Sequence, residues 1–116
     1  MTSPFGARLA ALIRHRGVTG CMVVGARDGI IVDSNLQIGV NGTAFAALSA
    51  SLYKKARRAS SAAGFGETGF FELSAERGRV CAVGRDELVL VVVVAAERVN
   101  VGLVRVEMLK ALETLA

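Results

Sequence analysis

A chain of 116 residues with 53% hydrophobic and 21% charged residues can bury a real core, which excludes a disordered polypeptide. Fourteen basic residues against ten acidic ones leave a net charge of +4, which attracts anionic partners without by itself marking a nucleic-acid binder. No apolar window is long enough for a membrane span and no secretion leader opens the chain, so one cytoplasmic domain over residues 1–116 is expected.

Phe5, Leu9, Leu12 and Ile13 recur at helical spacing, with Arg8, Arg14 and Arg16 outside the stripe. Pro4 suits the first turn and Gly17 the stop, which predicts a helix over about residues 4–16. Residues 18–26 and 30–35 are β-rich runs flanking Arg27, Asp28 and Gly29, and an Asp-Gly between two such runs predicts a hairpin. Asn41, Gly42 and Thr43 then open a second helix that runs to about Ala63.

On that helix Phe45, Leu48, Leu52, Ala56, Ala59 and Ala63 fall on one face, and Lys54, Lys55, Arg57 and Arg58 on the other. Between them lies a flank of small residues, Ala46, Ser49 and Ala50, joined by Tyr53. Small side chains let another helix approach closely, so this flank is a candidate contact surface. Residues 64–66 end the helix, and two strands are expected over 67–74 and 79–84.

Residues 88–96 form an unbroken apolar, valine-rich run fenced by Glu87 and Glu97. Valine loses χ1 freedom in a helix and packs well on a pleat, so this is a strand, and one apolar on both faces sits mid-sheet with cover on each side. Asn100 can cap a last helix whose stripe is Val101, Val104, Met108, Leu112 and Leu115. The order α-β-β-α-β-β-β-α, with three hairpin-type connections, predicts a largely antiparallel sheet between helices.

Chemical motifs are few. Gly64, Gly66 and Gly69 fit G-x-G-x-x-G, but a helix precedes them and a strand follows, the reverse of what dinucleotide binding needs. His15 is the only histidine, and no nucleophile turn or zinc ligand spacing accompanies it. Cys21 and Cys81 sit among apolar strand residues as buried free thiols. Catalytic residues, metal and cofactor are therefore none. The Lys54, Lys55, Arg57 and Arg58 group could meet an acidic protein or simply be a solvated face, and no interleaved aromatics favour nucleic acid.

Residues 25–34, the Ala/Ser/Leu-rich stretch from Phe45 to Tyr53, Glu76–Gly78, the apolar run at Leu88 and residues 101–108 together resemble the Roadblock family. That family includes dynein light chains and bacterial regulators of Ras-like GTPases. The resemblance implies a profilin-like three-layer α/β/α sandwich with a five-stranded sheet in the order 2-1-5-4-3. The first and last helices would cover one face and the second helix the other, with Cys21 and Cys81 held apart by the central strand. It also implies a homodimer or heterodimer made through the second helix and the third strand, and a homodimer is expected here, through Ala46, Ser49, Ala50, Tyr53, Phe70, Phe71 and Leu73. The implied role is a non-catalytic adaptor or regulator of a small GTPase in signalling or polarity control; by their charge, Lys54, Lys55, Arg57 and Arg58 are the residues expected to face such a partner. A scaffold for a kinase or cytoskeletal component is the alternative, and a basic-helix nucleic-acid binder a more distant one.

Overall fold

The computed structural model describes residues 4–85, 87–95 and 100–113. Its elements are α1 (Gly6–Ile13), β1 (Val18–Gly25), β2 (Ile31–Leu36), α2 (Gly42–Ala62), β3 (Phe71–Ala75), β4 (Gly78–Arg85), β5 (Leu88–Val94) and α3 (Val101–Glu113). The strands form a single sheet in the order β2-β1-β5-β4-β3, and every ladder is antiparallel. This is the order the family resemblance implies. Ala96, Glu97, Leu115 and Asp86 lie outside the described residues, so the far end of the central run and the last stripe position are not compared.

β5 is central because its side chains can meet no water: Val89 to Val94 are all buried, alternating between the two faces. Toward one face, Cys21, Val23, Cys81, Val83, Leu90, Val92 and Val94 pack against Leu9 and Leu12 of α1 and Val104 and Met108 of α3. Toward the other, Met22, Val24, Val80, Ala82, Val89 and Val91 pack beneath α2. Each fully buried valine contributes roughly 1.5–3 kcal/mol relative to exposure, so this strand anchors both layers. The edge strands are less covered, and four of the five residues of β3 are exposed.

Cys21 and Cys81 both pair with Val92, one from each side, so they share a face but stand two strand spacings apart. That separation is about 9.5 Å, beyond the reach of a disulfide at about 7 Å. Both are free and buried. Cys21 Sγ donates to the Leu9 carbonyl at 3.2 Å, tying β1 to α1. Burial pushes both thiols up, Cys21 to about 12, with Asp33 adding to the rise. Cys81 is pushed to about 11 by burial, with Glu72 raising and Arg79 lowering it.

Most strand boundaries shift by one or two residues from the sequence reading, and two elements differ by more. α1 is shorter than expected, because Pro4 and Phe5 form a turn and the helix stops at Ile13 before Gly17, whose φ is 88°. Residues 67–70 are not strand: β3 begins only at Phe71. Gly64 and Gly66 both have positive φ (78° and 82°), which prolongs the irregular link after α2.

Candidate functional site

α2 decides what this fold can offer a partner. It starts at Asn41, whose side-chain oxygen accepts from the Ala44 N–H at 3.1 Å, satisfying one of the helix's free donors. Gly42 follows close against β2: a Cβ there would lie 2.5 Å from Leu36 Cδ1, so a larger residue would have to push that side chain aside. Under its middle passes the β1–β2 hairpin tip, where Gly29 has φ 73° and Asp28 Oδ1 accepts from the Ile30 N–H at 3.0 Å, the turn chemistry expected of Asp-Gly. Lys54 Nζ donates to the Arg27 carbonyl and ties that tip to the helix.

The burial pattern corrects the expected contact surface. Ala46, Ser49, Ala50 and Tyr53 face the chain's own sheet, between 0% and 5% exposed. Their small volumes fit because the sheet beneath supplies the bulk, in Met22, Val24, Val89 and Val91. Tyr53 is the exception in size, and its room comes from Gly84 of β4: a Cβ there would lie 1.9 Å from the phenol oxygen. The Tyr53 ring stacks against Phe71 with centroids 6.4 Å apart. Burial pushes the phenol's pKa above its ordinary value; Arg57 opposes this and Glu67 adds to it. Ser49 Oγ is buried with no hydrogen-bond partner among the described residues.

What α2 leaves outside is the larger stripe. Leu48 is 40% exposed, Phe45, Leu52 and Ala56 are half-buried, and Ala59 is open. Beside this ridge runs an apolar groove of about 490 Å³ lined by Phe45 and Leu48 of α2, Leu73 and Ala75 of β3, and Val80. β3 is the outermost strand on this side, with no strand paired to its outer edge among the described residues. Of the three apolar residues expected on that strand, Leu73 is 39% exposed in the groove and Phe71 is half-buried against Tyr53. Phe70 lies before the strand and packs toward the α1/α3 face instead, with the Arg105 guanidinium 5.2 Å above its ring. The alternation of side chains along an extended chain separates it from Phe71.

The basic group divides as well. Lys54, Arg57 and Arg58 line an open depression of about 670 Å³, while Lys55 stays outside it. Arg57 lies 5.6 Å above the Tyr53 ring and 3.6 Å from Glu67. Arg27 joins the group from the hairpin tip, 3.5 Å from Glu87. Sequence reasoning missed Arg27, because only the fold brings the hairpin tip beside the helix. Among the described residues no group of three or more His, Cys, Asp or Glu could hold a metal ion, and no helix is long and apolar enough to cross a membrane.

A five-stranded antiparallel sheet in this order, with α1 and α3 on one face and α2 on the other, is the architecture of a profilin-like α/β/α sandwich. The Roadblock/LC7 domain profile matches residues 6–95, and the chain belongs to that family. It is 32% identical over 105 residues to the protein MJ1340 of Methanocaldococcus jannaschii, covering 90% of each chain. Among solved structures, it is similar to a Roadblock/LC7 domain from Streptomyces avermitilis at a TM-score of 0.83 and 16% identity, covering 94% of this chain and 92% of that one. It is likewise similar to MglB of Myxococcus xanthus at a TM-score of 0.82 and 20% identity, covering 97% and 92%. At those identities the two structures attest the fold.

Proposed function

We propose that this protein is a non-catalytic homodimeric platform of the cytoplasm that binds a small Ras-like GTPase in signalling or polarity control. The observation that carries the reading is the meeting of an exposed apolar ridge on α2, an apolar groove and an unpaired strand edge along one side of the molecule. A second copy related by a two-fold axis buries all three at once: the β3 edges extend one sheet, and Leu48 and Leu52 of each α2 pack together. The residues proposed for that interface are therefore Phe45, Leu48, Leu52, Ala56 and Leu73, in place of the small flank that the chain's own sheet occupies.

The basic flank of α2 lies away from this ridge, so pairing leaves Lys54, Arg57 and Arg58 of both subunits available. A doubled positive surface steers an acidic partner and loses association rate as salt rises. Membership of the Roadblock/LC7 family, whose bacterial members include GTPase regulators, supports a small GTPase as that partner. The test is binding to the small Ras-like GTPases of the same organism, measured by calorimetry in their GTP and GDP forms. Binding that prefers one nucleotide state upholds the reading, and no binding of either state turns it toward a general scaffold.

A further inference from the structure

The link that follows α2 holds out one aromatic ring. Phe65 is 84% exposed, and no other phenylalanine or tyrosine among the described residues is as open. Its backbone is nevertheless fixed. The Phe65 N–H donates to the Ser60 carbonyl at 2.9 Å, the Gly64 N–H to the Ser61 carbonyl at 3.0 Å, and Ser60 Oγ to the Gly66 carbonyl at 2.7 Å. Gly64, at φ 78°, supplies the left-handed residue that such a helix stop needs. In this stop the residue in the place of Phe65 ordinarily packs on the one whose carbonyl it binds, or on that residue's predecessor. Here those are Ser60 and Ala59, too small to cover the ring. A fixed aromatic with no cover in its own chain is the kind of side chain that anchors interfaces.

The outer stripe of α2 shows where a second copy would bring that ring. The helix runs from Gly42 to Ala62, so Leu52 is its midpoint. Phe45 and Ala59 lie seven positions to either side of Leu52, and Leu48 and Ala56 four. The bulk is all on one side, with Phe45 and Leu48 in the first half and alanines in the second. A two-fold axis that joins two β3 edges with both α2 helices on one face of the sheet makes those helices antiparallel. Centred on Leu52, the pair sets each large side chain against an alanine, the complementarity that close packing favours. The link after Ala62 then stands beside the partner's loop before Gly42. Gly39 and Val40 of that loop line the apolar groove of about 490 Å³, together with Phe45, Leu48, Leu73 and Ala75.

We infer that Phe65 of each chain seats in the groove of a second copy, against Val40, Phe45 and Leu48, so that two rings close two grooves across one axis. A cavity of about 150 Å³ already holds a benzene ring, so the groove has room. This placement rests on the reading of the chain as a dimer through α2 and β3, and it names the register of the pair and the side chain each subunit lends the other.

Sedimentation equilibrium of the full-length parent, Phe65→Ala and Leu48→Glu is the first readout. Burying one such ring is worth at least about tenfold, and each dimer loses two, so Phe65→Ala is expected to raise the dimer Kd about a hundredfold or more with unchanged circular dichroism. The second readout mixes Phe65→Cys with Val40→Cys chains and adds a short bismaleimide, to which the buried Cys21 and Cys81 are silent. A product of twice 12.1 kDa is expected from the mixture and from neither chain alone, because the two copies of either position stand roughly 30 Å or more apart along the pair at 1.5 Å per residue. A Phe65→Ala chain that dimerises like the parent while Leu48→Glu is monomeric overturns the inference and leaves the dimer standing. Cross-linking of the Phe65→Cys chain to itself also overturns it, since the helices then pair in another register. So does a Phe65→Ala dimer of parental strength that no longer binds a GTPase the parent binds, which assigns the ring to that partner. A monomeric parent removes the dimer and this contact together.

Discussion

Replacing Gly84 by alanine tests how α2 is seated. The added Cβ would stand 1.9 Å from Tyr53 Oη, 2.0 Å from Cζ and 2.4 Å from Cε1. Carbon contacts settle near 3.5–4.0 Å, so the ring must move by about 1.5 Å or more. Tyr53 is only 5% exposed and stacked on Phe71, so displacing the ring costs it that buried contact. Overpacking of this kind costs about 1–3 kcal/mol, and disturbing the aromatic pair adds about 0.5–1.5 kcal/mol. Against this, alanine is favoured over glycine by about 0.4–1 kcal/mol through the unfolded chain. The balance predicts a destabilisation of about 1–3 kcal/mol, read from the urea midpoint at one fixed protein concentration. Tyr53→Leu in the same background should recover part of the loss, with a coupling of at least about 1 kcal/mol in the double-mutant cycle. A neutral or stabilised Gly84→Ala, or strictly additive effects, would refute the seating.

Three further substitutions follow from the same layer and the sheet. Ser49→Ala removes a buried hydroxyl with no partner and should leave stability unchanged or raise it by up to about 1 kcal/mol; a loss above that in denaturant unfolding would mean that the hydroxyl has a partner. Ala50→Arg forces a charge between helix and sheet where the side chain is 4% exposed, and should destabilise the fold itself by about 3 kcal/mol or more, seen as a lowered Tm and not merely a change of assembly. Cys21 and Cys81, raised to about 12 and about 11, stay protonated near pH 8 and should react with a thiol reagent only after unfolding. Because their folded pKa values lie above the ordinary 9.0, the stability tied to the neutral thiols is complete below pH 9 and lost as pH rises toward 11–12. Cys21→Ala should therefore shrink the alkaline fall in the denaturation midpoint, and an unchanged fall would contradict this linkage.

The sheet was legible because its signals are physical and local. A valine run without polar residues has one place to go, and Asp28-Gly29 fixes the first hairpin. The central place of β5 follows from that, whereas the strand order that separates the two cysteines came only from the resemblance to the Roadblock family. The faces of α2 were read the wrong way because volume is shared between layers. Ala46, Ser49 and Ala50 look like a surface for another helix until Met22, Val24 and Val91 are known to stand beneath them. The signal was present in the pairing of small residues on α2 with large ones on the strands, but it needs the register to be seen. Phe70 and Phe71 part company for a related reason: the strand begins one residue later than the apolar run does. Arg27 was invisible as a companion of Lys54 because twenty-six residues of chain separate two groups that the hairpin brings into contact.

The central claim is that the stripe α2 leaves outside, beside the open edge of β3, is where a second copy binds. Leu48→Glu tests it most directly, because Leu48 is 40% exposed and a charge there costs the isolated chain only about 0.5 kcal/mol. Sedimentation equilibrium at micromolar concentration should give the parent twice the 12.1 kDa chain mass and the variant 12.1 kDa, with the same circular dichroism. A monomeric parent, or a Leu48→Glu variant that remains a dimer, would contradict the account.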